Sequence, residues 1–183
     1  MNITHASSAE ERMELRDFLA EHLHDIAPDA VPKPEWDRHY ETIALTVREE
    51  GKLIAGLLSC YTQIASAAFM APEGIDEHMD KVRRLTPLHA ELDLIAVDPS
   101  ARSTGIGSAL ISESESILKV RGTKYWFGCV TSDLDVDRLR NFYEKLGFTV
   151  LPDGARLPPF KGVEWVPPHA TDAAFWFYKR LER

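Results

Sequence analysis

The segment from Leu94 to Ile111 constrains this chain more than any other, because it predicts a strand, a tight loop and a helix in immediate succession. The apolar strand ends at Asp98-Pro99, and Gly105 and Gly107 stand where the helix begins. The first N–H groups of a helix are unpaired and the helix dipole is positive there, while glycine lets a phosphate approach the backbone. Arg102 adds a charged, fork-shaped donor. The segment therefore predicts an anion-binding loop; the alternative is an ordinary helix start in which glycine serves only packing.

The composition is that of an ordinary globular chain. Its 183 residues are 44% hydrophobic, and no apolar run reaches the roughly 20 residues that span a bilayer, which argues against a membrane protein. A chain of this length fits a single domain over residues 1–183. The net charge of −8 argues against a general nucleic-acid binder and mildly favours cationic partners.

The N-terminal residues and the two cysteines indicate the compartment. No lysine or arginine precedes Arg12 and no hydrophobic stretch follows it, so the start does not resemble a secretory signal and we expect a cytoplasmic protein. Cys60 and Cys129 lie in apolar, strand-like runs without metal-ligand spacing, which is typical of reduced, buried thiols. We therefore expect neither a disulfide framework nor a metal site.

Short strand-like and helix-like stretches alternate along the chain, which predicts a mixed α/β fold around one sheet. A first helix is expected from Ala9, with Ser7 or Ser8 as its N-cap. Gln63 to Pro87 fits either a short helix or an excursion over the surface. The other predicted elements are a strand in Met1–Ala6, a hairpin of Thr42–Glu49 and Lys52–Tyr61, a strand His89–Val97, a helix Ser103–Val120, a strand Tyr125–Thr131, a helix Asp135–Leu146, and strands Phe148–Leu151 and Ala173–Leu181.

The loop resembles the acetyl-coenzyme A motif of the GNAT superfamily of N-acetyltransferases, which is Arg or Gln, two residues, Gly, one residue, and Gly or Ala. Arg102-Ser103-Thr104-Gly105-Ile106-Gly107 matches that motif fully, and Leu94 to Pro99 looks like the family's strand that ends in a Val-x-Pro turn. Asn141 to Phe148 resembles the later helix-to-strand motif, with a tyrosine four residues before Gly-Phe. The loop has neither the G-x-G-x-x-G of a dinucleotide fold nor the Gly-Lys-Ser/Thr ending of a P-loop.

The resemblance covers roughly Glu91 to Phe148 and implies the GNAT fold, with a single mixed, mostly antiparallel sheet, flanking helices and a coenzyme-binding core at about 89–150. It also implies transfer of an acetyl group from acetyl-CoA to a primary amine of a small molecule or peptide, by direct attack through a tetrahedral intermediate. The alternative is a non-catalytic acyl-CoA-binding sensor or regulatory module on the same fold. O-acetyl transfer and a longer acyl donor stay open, as does a homodimer.

The resemblance assigns coenzyme contacts to two stretches of backbone. The loop N–H groups would hold the pyrophosphate, and the end of the strand would pair with the pantetheine arm, much as a sheet edge pairs with another strand. The Val97 N–H would stabilise the oxyanion at the thioester carbonyl. The cofactor-binding residues implied are Ile95, Ala96, Val97, Arg102, Ser103, Thr104, Gly105, Ile106, Gly107 and Ser108.

Acetyl transfer to an amine needs a base for the ammonium proton and an acid for the departing thiolate. The resemblance assigns the acid to Tyr143; otherwise this tyrosine is a core aromatic. Glu91 and Asp93 share one face of a strand by alternation, and we expect Glu91 first and Asp93 second as the base. Both carboxylates could instead only solvate the strand, with water relaying the proton; His89 and His169 are further candidates.

One coenzyme contact departs from the family pattern. Many members have an asparagine seven residues before the tyrosine, where this chain has Val136; Asn141 is out of that register. The acceptor side of this fold corresponds here to Asp25–Tyr40, Gln63–Leu88 and Leu157–Ala170. The acidic balance suits a cationic amine such as a polyamine, an aminoglycoside or a peptide N-terminus, but the sequence does not identify the acceptor.

Overall fold

The computed structural model describes residues 1–24, 26–74, 76–166 and 173–182. The strands are β1 (Ile3–His5), β2 (Ile43–Glu49), β3 (Lys52–Cys60), β4 (His89–Val97), β5 (Tyr125–Thr131), β6 (Thr149–Val150) and β7 (Ala173–Arg180). The α-helices are α1 (Ala9–His22), α2 (Asp37–Tyr40), α3 (Gln63–Met70), α4 (Glu77–Leu85), α5 (Ile106–Arg121) and α6 (Val136–Lys145). Short 3-10 turns occupy Pro34–Trp36, Thr86–Leu88 and Pro99–Ala101.

The seven strands form one sheet in the order β1-β2-β3-β4-β5-β7-β6. The pairs β1–β2, β2–β3, β5–β7 and β6–β7 are antiparallel. The predicted fold class, a mixed α/β fold with one mostly antiparallel sheet and flanking helices, is confirmed.

The chain divides into two compact units, of which the first comprises Met1–Cys60 and Leu92–Ile117. The predicted hairpin of β2 and β3 forms its centre, with Leu45 opposite Leu57 and a turn in which Glu50 and Gly51 have φ of 50° and 84°. Helix α1 packs on this hairpin at Gly56. A Cβ on that glycine would lie 2.3 Å from Leu15 Cδ1, so the helix approaches the strand as closely as a residue without a side chain allows.

Helix α1 begins with a reciprocal cap. The Ser8 side chain accepts a hydrogen bond from Glu11 N–H, while the Glu11 carboxylate accepts from the backbone N–H groups of Ser7 and Ser8. These backbone bonds hold the pKa of Glu11 below its ordinary value. The capping box identifies Ser8 as the N-cap, one of the two serines predicted for that position.

The second unit comprises Tyr61–Glu91 and Leu118–Arg183. Its core is aromatic on one face of β5 and β7, where Phe127 lies opposite Tyr178 and Tyr125 stacks on Phe160. The segment that the sequence left undecided forms α3 and α4. The guanidinium of Arg83 on α4 donates hydrogen bonds to Ala68 O and Ala71 O at 2.6 Å, which satisfies carbonyls at the end of α3.

Several boundaries shift by a residue or two from the prediction, and two of the differences have a visible cause in the local backbone. Helix α5 begins at Ile106 rather than Ser103, because Ser103 and Gly105 adopt positive φ values of 64° and 88°, which a right-handed helix excludes. Strand β6 is limited to Thr149–Val150, because Phe148 N–H still bonds to Tyr143 O at the end of α6. Strand β7 covers Ala173–Arg180, within the predicted Ala173–Leu181, and the residues directly before it lie outside the described part of the chain.

Two features are absent from the described residues. No helix there is long and apolar enough to cross a membrane. Likewise, no group of three or more His, Cys, Asp or Glu side chains in that part of the chain is arranged to hold a metal ion.

Candidate functional site

The predicted anion-binding loop lies in the first unit, directly after β4. The turn Pro99–Ala101 is closed by Asp98, whose carboxylate accepts hydrogen bonds from Ser100 N at 2.9 Å and Ser100 Oγ at 2.5 Å. These bonds hold the pKa of Asp98 below its ordinary value. Asp98 N–H also donates to Ile54 O at 2.9 Å, so the turn starts from a backbone position that β3 fixes.

Arg102 follows the turn with an exposed side chain. Its Nε donates to Val97 O at 3.0 Å, which ties the guanidinium back to the end of β4. Within the described part of the chain, its two terminal nitrogens have no hydrogen-bond partner. The Arg102 side chain is therefore held at its Nε, while its two terminal nitrogens can donate hydrogen bonds to a bound anion.

The loop then turns into α5 with its backbone donors open. The helix's hydrogen bonding begins with Ala109 N–H donating to Gly105 O at 3.0 Å, so the N–H groups of Ile106, Gly107 and Ser108 precede the helical ladder. Apart from Gly105 itself and its two chain neighbours, no atom of the described residues lies within 4 Å of the position that a Cβ on Gly105 would take. Open space, free N–H groups and a positive dipole fit the diphosphate of a coenzyme A.

Burial along β4 alternates as the sequence predicted. Leu92 and Ala96 are buried, whereas Glu91 and Val97 are half-buried and Asp93 is accessible to solvent. Alternate residues of a strand face the same side, so the two candidate carboxylates belong to the more open face of β4.

On that face of β4, the surrounding protein shifts the pKa of Asp93. Its side chain keeps solvent access, so the mass of protein around it, rather than complete enclosure, disfavours the charged form. This desolvation raises the pKa of Asp93 to about 6. A carboxylate with that pKa is mostly ionised at neutral pH and is a stronger base than an ordinary aspartate.

Tyr143 lies on α6 in the second unit and is 3% exposed. Its ring stacks on Phe177 with centroids 3.8 Å apart, and Phe142 and Phe148 contact it edge to face. Burial raises the pKa of the phenol well above its ordinary value, so Tyr143 stays protonated at neutral pH. The ring is packed as a core aromatic, and its hydroxyl keeps a proton to donate.

His89 can be removed from the candidate bases. The ring is fully buried, with Nδ1 2.8 Å from Thr86 O, Nε2 3.2 Å from Thr62 Oγ1, and Trp165 stacked on it at 3.6 Å. Burial lowers the pKa of His89 to about 3, and both nitrogens have partners. Its role is structural, whereas the other histidine candidate, His169, lies outside the described residues.

Two interactions that shape the first unit were not predicted from the sequence. One is the bond from Arg102 to Val97 O. The other is made by Arg12, which is buried and forms an ion pair with Asp37. The available signal was position, because Arg12 falls on the same helical stripe as the buried Leu15 and Leu19. Asn141, the out-of-register asparagine, donates to Asp137 O within its own helix at 2.9 Å.

Solved structures with a similar fold are acetyltransferases. An acetyltransferase of the GNAT family from Staphylococcus aureus aligns over 99% of both chains with a TM-score of 0.64 and 15% identity. An aminoglycoside 6'-N-acetyltransferase complexed with coenzyme A aligns over 100% of this chain and 98% of its own, with a TM-score of 0.60 and 16% identity. The ribosomal-protein-S18-alanine N-acetyltransferase from Escherichia coli aligns over 100% and 94%, with a TM-score of 0.57 and 14% identity. At these identities the likeness concerns the fold.

No curated protein sequence matches this chain significantly. The sequence model of the acetyltransferase (GNAT) family, however, matches residues 10–148. That stretch contains both the loop that begins at Arg102 and the helix that carries Tyr143. With more than half of the sequence matched and the same fold in solved family members, the chain belongs to the GNAT family of acetyltransferases.

Proposed function

We propose that this chain is an acetyl-CoA-dependent N-acetyltransferase that acts on a primary amine of a small molecule or peptide. The observation that carries the proposal is the loop from Arg102 to Ser108. Its last three N–H groups precede the helical ladder, two guanidinium nitrogens of Arg102 have no partner among the described residues, and the space beside Gly105 is open. Fixed donors of this kind match a diphosphate. As a single domain, the chain would hold the coenzyme with its core at about 89–150.

The backbone of β4 would contribute the remaining coenzyme contacts. N–H groups of successive residues in a strand point to opposite edges, so with Asp98 N–H bonded to β3, Val97 N–H points to the other edge. There, the main chain from Ile95 to Val97 would pair with the amide-containing pantetheine arm. Acetyl-CoA supplies the activated acetyl group, and Val97 N–H would donate to the thioester oxygen as negative charge develops on it.

Asp93 would act as the general base that takes the proton from the ammonium group of the acceptor. Its solvent access and its pKa of about 6 support this role at neutral pH. Glu91, expected first from the sequence, lies half-buried on the same face of β4 and has a polar or charged partner, so it is the second candidate.

Tyr143 would act as the general acid that protonates the departing thiolate. A buried phenol with a raised pKa is protonated at neutral pH, which is the state that this role needs. The same packing supports the alternative function, a non-catalytic acyl-CoA-binding module in which Tyr143 is only a core aromatic.

Thermal unfolding with and without acetyl-CoA tests the coenzyme site. A ligand that binds only the folded state at about 100 times its Kd stabilises it by about 2.7 kcal/mol, so we expect a clear rise in Tm. The variant Arg102→Ala should reduce that rise, whereas Arg138→Ala, at an exposed arginine of α6, should leave it unchanged. Absence of any rise in the wild type would contradict the proposal.

Thiol release in the same samples then separates the two functions. Acetyl-CoA is incubated with spermine, kanamycin, free amino acids and short peptides, and free coenzyme A is measured over time. Amine-dependent release establishes the transferase and its acceptor class. A Tm rise without release for any amine supports the binding module instead.

A further inference from the structure

The peptide group that joins Val97 to Asp98, at the end of β4, is held from both sides. Its N–H, on Asp98, donates to Ile54 O of β3 at 2.9 Å, and its carbonyl, on Val97, accepts from Arg102 Nε at 3.0 Å. A peptide group is planar, so bonds at its two opposite ends fix the orientation of the whole plane. The strand therefore ends on a fixed peptide group, directly before Pro99 starts the 3-10 turn.

The bond from Arg102 lies on the edge of β4 that faces away from β3. The C=O and N–H of one trans peptide group point in opposite directions, so with Asp98 N–H directed to β3, Val97 O is directed to the other edge. Within a strand, the N–H and C=O of one residue point to the same edge. Val97 N–H, the donor proposed for the thioester oxygen, therefore shares an edge with the carbonyl that Arg102 holds.

The turn between them brings Arg102 back to the strand end. Asp98 closes this turn, since its carbonyl accepts from Ala101 N–H and its carboxylate from Ser100 N–H, both at 2.9 Å. Arg102, five residues after Val97, can thus reach the Val97 carbonyl. Its Nε is used within the protein, while its two terminal nitrogens have no hydrogen-bond partner among the described residues. One side chain can therefore hold the backbone and contact a bound anion at once.

We propose that Arg102 is a positioning residue for acetyl transfer: its Nε holds the Val97 carbonyl and thereby directs Val97 N–H at the thioester oxygen. The inference rests on the proposed function and adds a second role to the coenzyme contact proposed for the same side chain. Only two backbone dihedral angles separate the peptide group that carries Val97 N–H from the one that Arg102 holds. An oxyanion donor acts only when it points at the developing charge, so release of the carbonyl slows the transfer even with coenzyme bound.

Two substitutions of similar length separate this role from phosphate binding. Arg102→Gln places an amide nitrogen the same number of bonds from Cα as Nε and can still donate to Val97 O, whereas Arg102→Met has no donor. Both lose the charge and the terminal nitrogens, so both should raise the KM of acetyl-CoA by about tenfold. With saturating acetyl-CoA and an amine that the wild type acetylates, Arg102→Met should lower kcat about tenfold, whereas Arg102→Gln should stay within about twofold of the wild type.

Lys52→Ala is the matched control for a lost positive charge beside the same turn. Lys52 is an exposed cation whose Nζ lies 3.7 Å from Asp98 Oδ2, and it does not hold the Val97 carbonyl. We expect kcat of this variant within about twofold of the wild type, because exposed ion pairs of this kind contribute little.

NMR spectroscopy tests the bond itself without activity. The chain has two Val-Asp pairs, Val97-Asp98 and Val136-Asp137, so protein labelled with ¹³C at valine carbonyls and ¹⁵N in aspartate gives one correlation for each. The ¹³C frequency of a carbonyl responds to the hydrogen bond that its oxygen accepts. Arg102→Met should displace the Val97 correlation and Arg102→Gln should displace it much less, while the Val136 correlation stays in place in both variants.

The inference is overturned if Arg102→Gln and Arg102→Met have the same kcat, or if the Val97 correlation of Arg102→Met stays at the wild-type position. A kcat lowered equally in Lys52→Ala would show that charge near the turn, rather than the bond to Val97 O, matters, and would overturn it too. Absence of thiol release by the wild type with every amine would instead contradict the proposed function, and the positioning role with it, even where the Val97 correlation confirms the bond.

Discussion

The catalytic and packing roles of Tyr143 can be tested separately, because its hydroxyl can be removed while its ring stays stacked on Phe177. If it protonates the thiolate, Tyr143→Phe should lower kcat by about 100-fold, since general acid catalysis contributes that much or more. The Kd of acetyl-CoA and the Tm should stay near wild type. Steady-state kinetics and calorimetry measure both quantities, with Tyr178→Phe as the control. Unchanged turnover in Tyr143→Phe would show that the ring is only structural.

Asp93 should impose a pH dependence on the reaction. A base with a pKa of about 6 must be ionised to act, so kcat/KM should rise with pH and level off above about 7. Asp93→Asn should lower kcat/KM by about 100-fold and abolish its rise with pH, whereas Glu91→Gln should retain that rise. If Glu91→Gln abolishes the rise of kcat/KM with pH and Asp93→Asn does not, Glu91 is the base.

The same carboxyl predicts a pH effect on stability. The pKa of Asp93 lies above its ordinary value of 3.8 in the folded protein, so the folded state binds the proton more tightly than the unfolded chain does. The contribution of Asp93 to the free energy of unfolding therefore falls as the pH rises from about 4 to about 6. Urea titrations across that range should show Asp93→Asn gaining stability relative to the wild type with rising pH. A constant difference between the two proteins would contradict the raised pKa.

Ser103 shows local strain at the coenzyme loop. Its φ of 64° is one that residues with a Cβ adopt at a cost, whereas glycine adopts it freely. We therefore expect Ser103→Gly to stabilise the protein by up to about 1 kcal/mol, or about 2–4 °C in Tm. Ser103→Ala, which retains the strain, should give no gain. Calorimetric melting distinguishes the two variants, and an equal Tm for both would show that the backbone is not strained there.

At the scale of elements, the contact of α1 with β3 depends on Gly56. A Cβ there would lie 2.3 Å from Leu15 Cδ1, and Leu15 is fully buried, so the helix or its side chain must move. Gly56→Ala should cost about 1–3 kcal/mol of unfolding free energy. Combined with Leu15→Ala, the loss should be smaller than the sum of the two single losses. Additive losses in urea denaturation would mean that the two residues do not compete for space.

Elements whose signals are local could be predicted from the sequence, and those that depend on distant contacts could not. The hairpin, the N-cap at Ser8 and strand β7 follow from alternation, capping chemistry and aromatic content. The segment of α3 and α4 stayed undecided between a short helix and a surface excursion, because α3 lacks an alternating polar face. Its end is completed by a bond from Arg83 that no local pattern indicates.

In the candidate site too, features with local signals could be predicted from the sequence and features that depend on distant contacts could not. Spacing alone identified the loop at Arg102, since glycines and a charged donor are local requirements of an anion site. Spacing put Glu91 before Asp93 as the base. The raised pKa of Asp93 favours the opposite order, and it depends on the protein packed around that carboxyl, which spacing does not indicate. Nor could spacing reject His89, whose partners Thr62 and Trp165 are far from it in sequence.

At the scale of the whole molecule, the net charge of −8 should act oppositely on the two substrates. A polyanionic coenzyme is repelled at long range and a polycationic amine is attracted, although each binds through local contacts. Raising the ionic strength from about 0.01 M to about 0.15 M shortens the Debye length from roughly 30 Å to roughly 8 Å. The association rate of acetyl-CoA should therefore rise with salt, while that of spermine falls.

A charge variant gives this prediction a control. Replacing the exposed Glu10 and Glu144 by lysine raises the net charge by four without touching the proposed site. Both salt slopes, measured as association rates by surface plasmon resonance at constant pH, should then become shallower. Since neither substitution alters a proposed contact, dissociation rates should not change. Slopes of the same sign for coenzyme and amine would mean that local charges such as Arg102, rather than the field of the whole protein, govern both encounters.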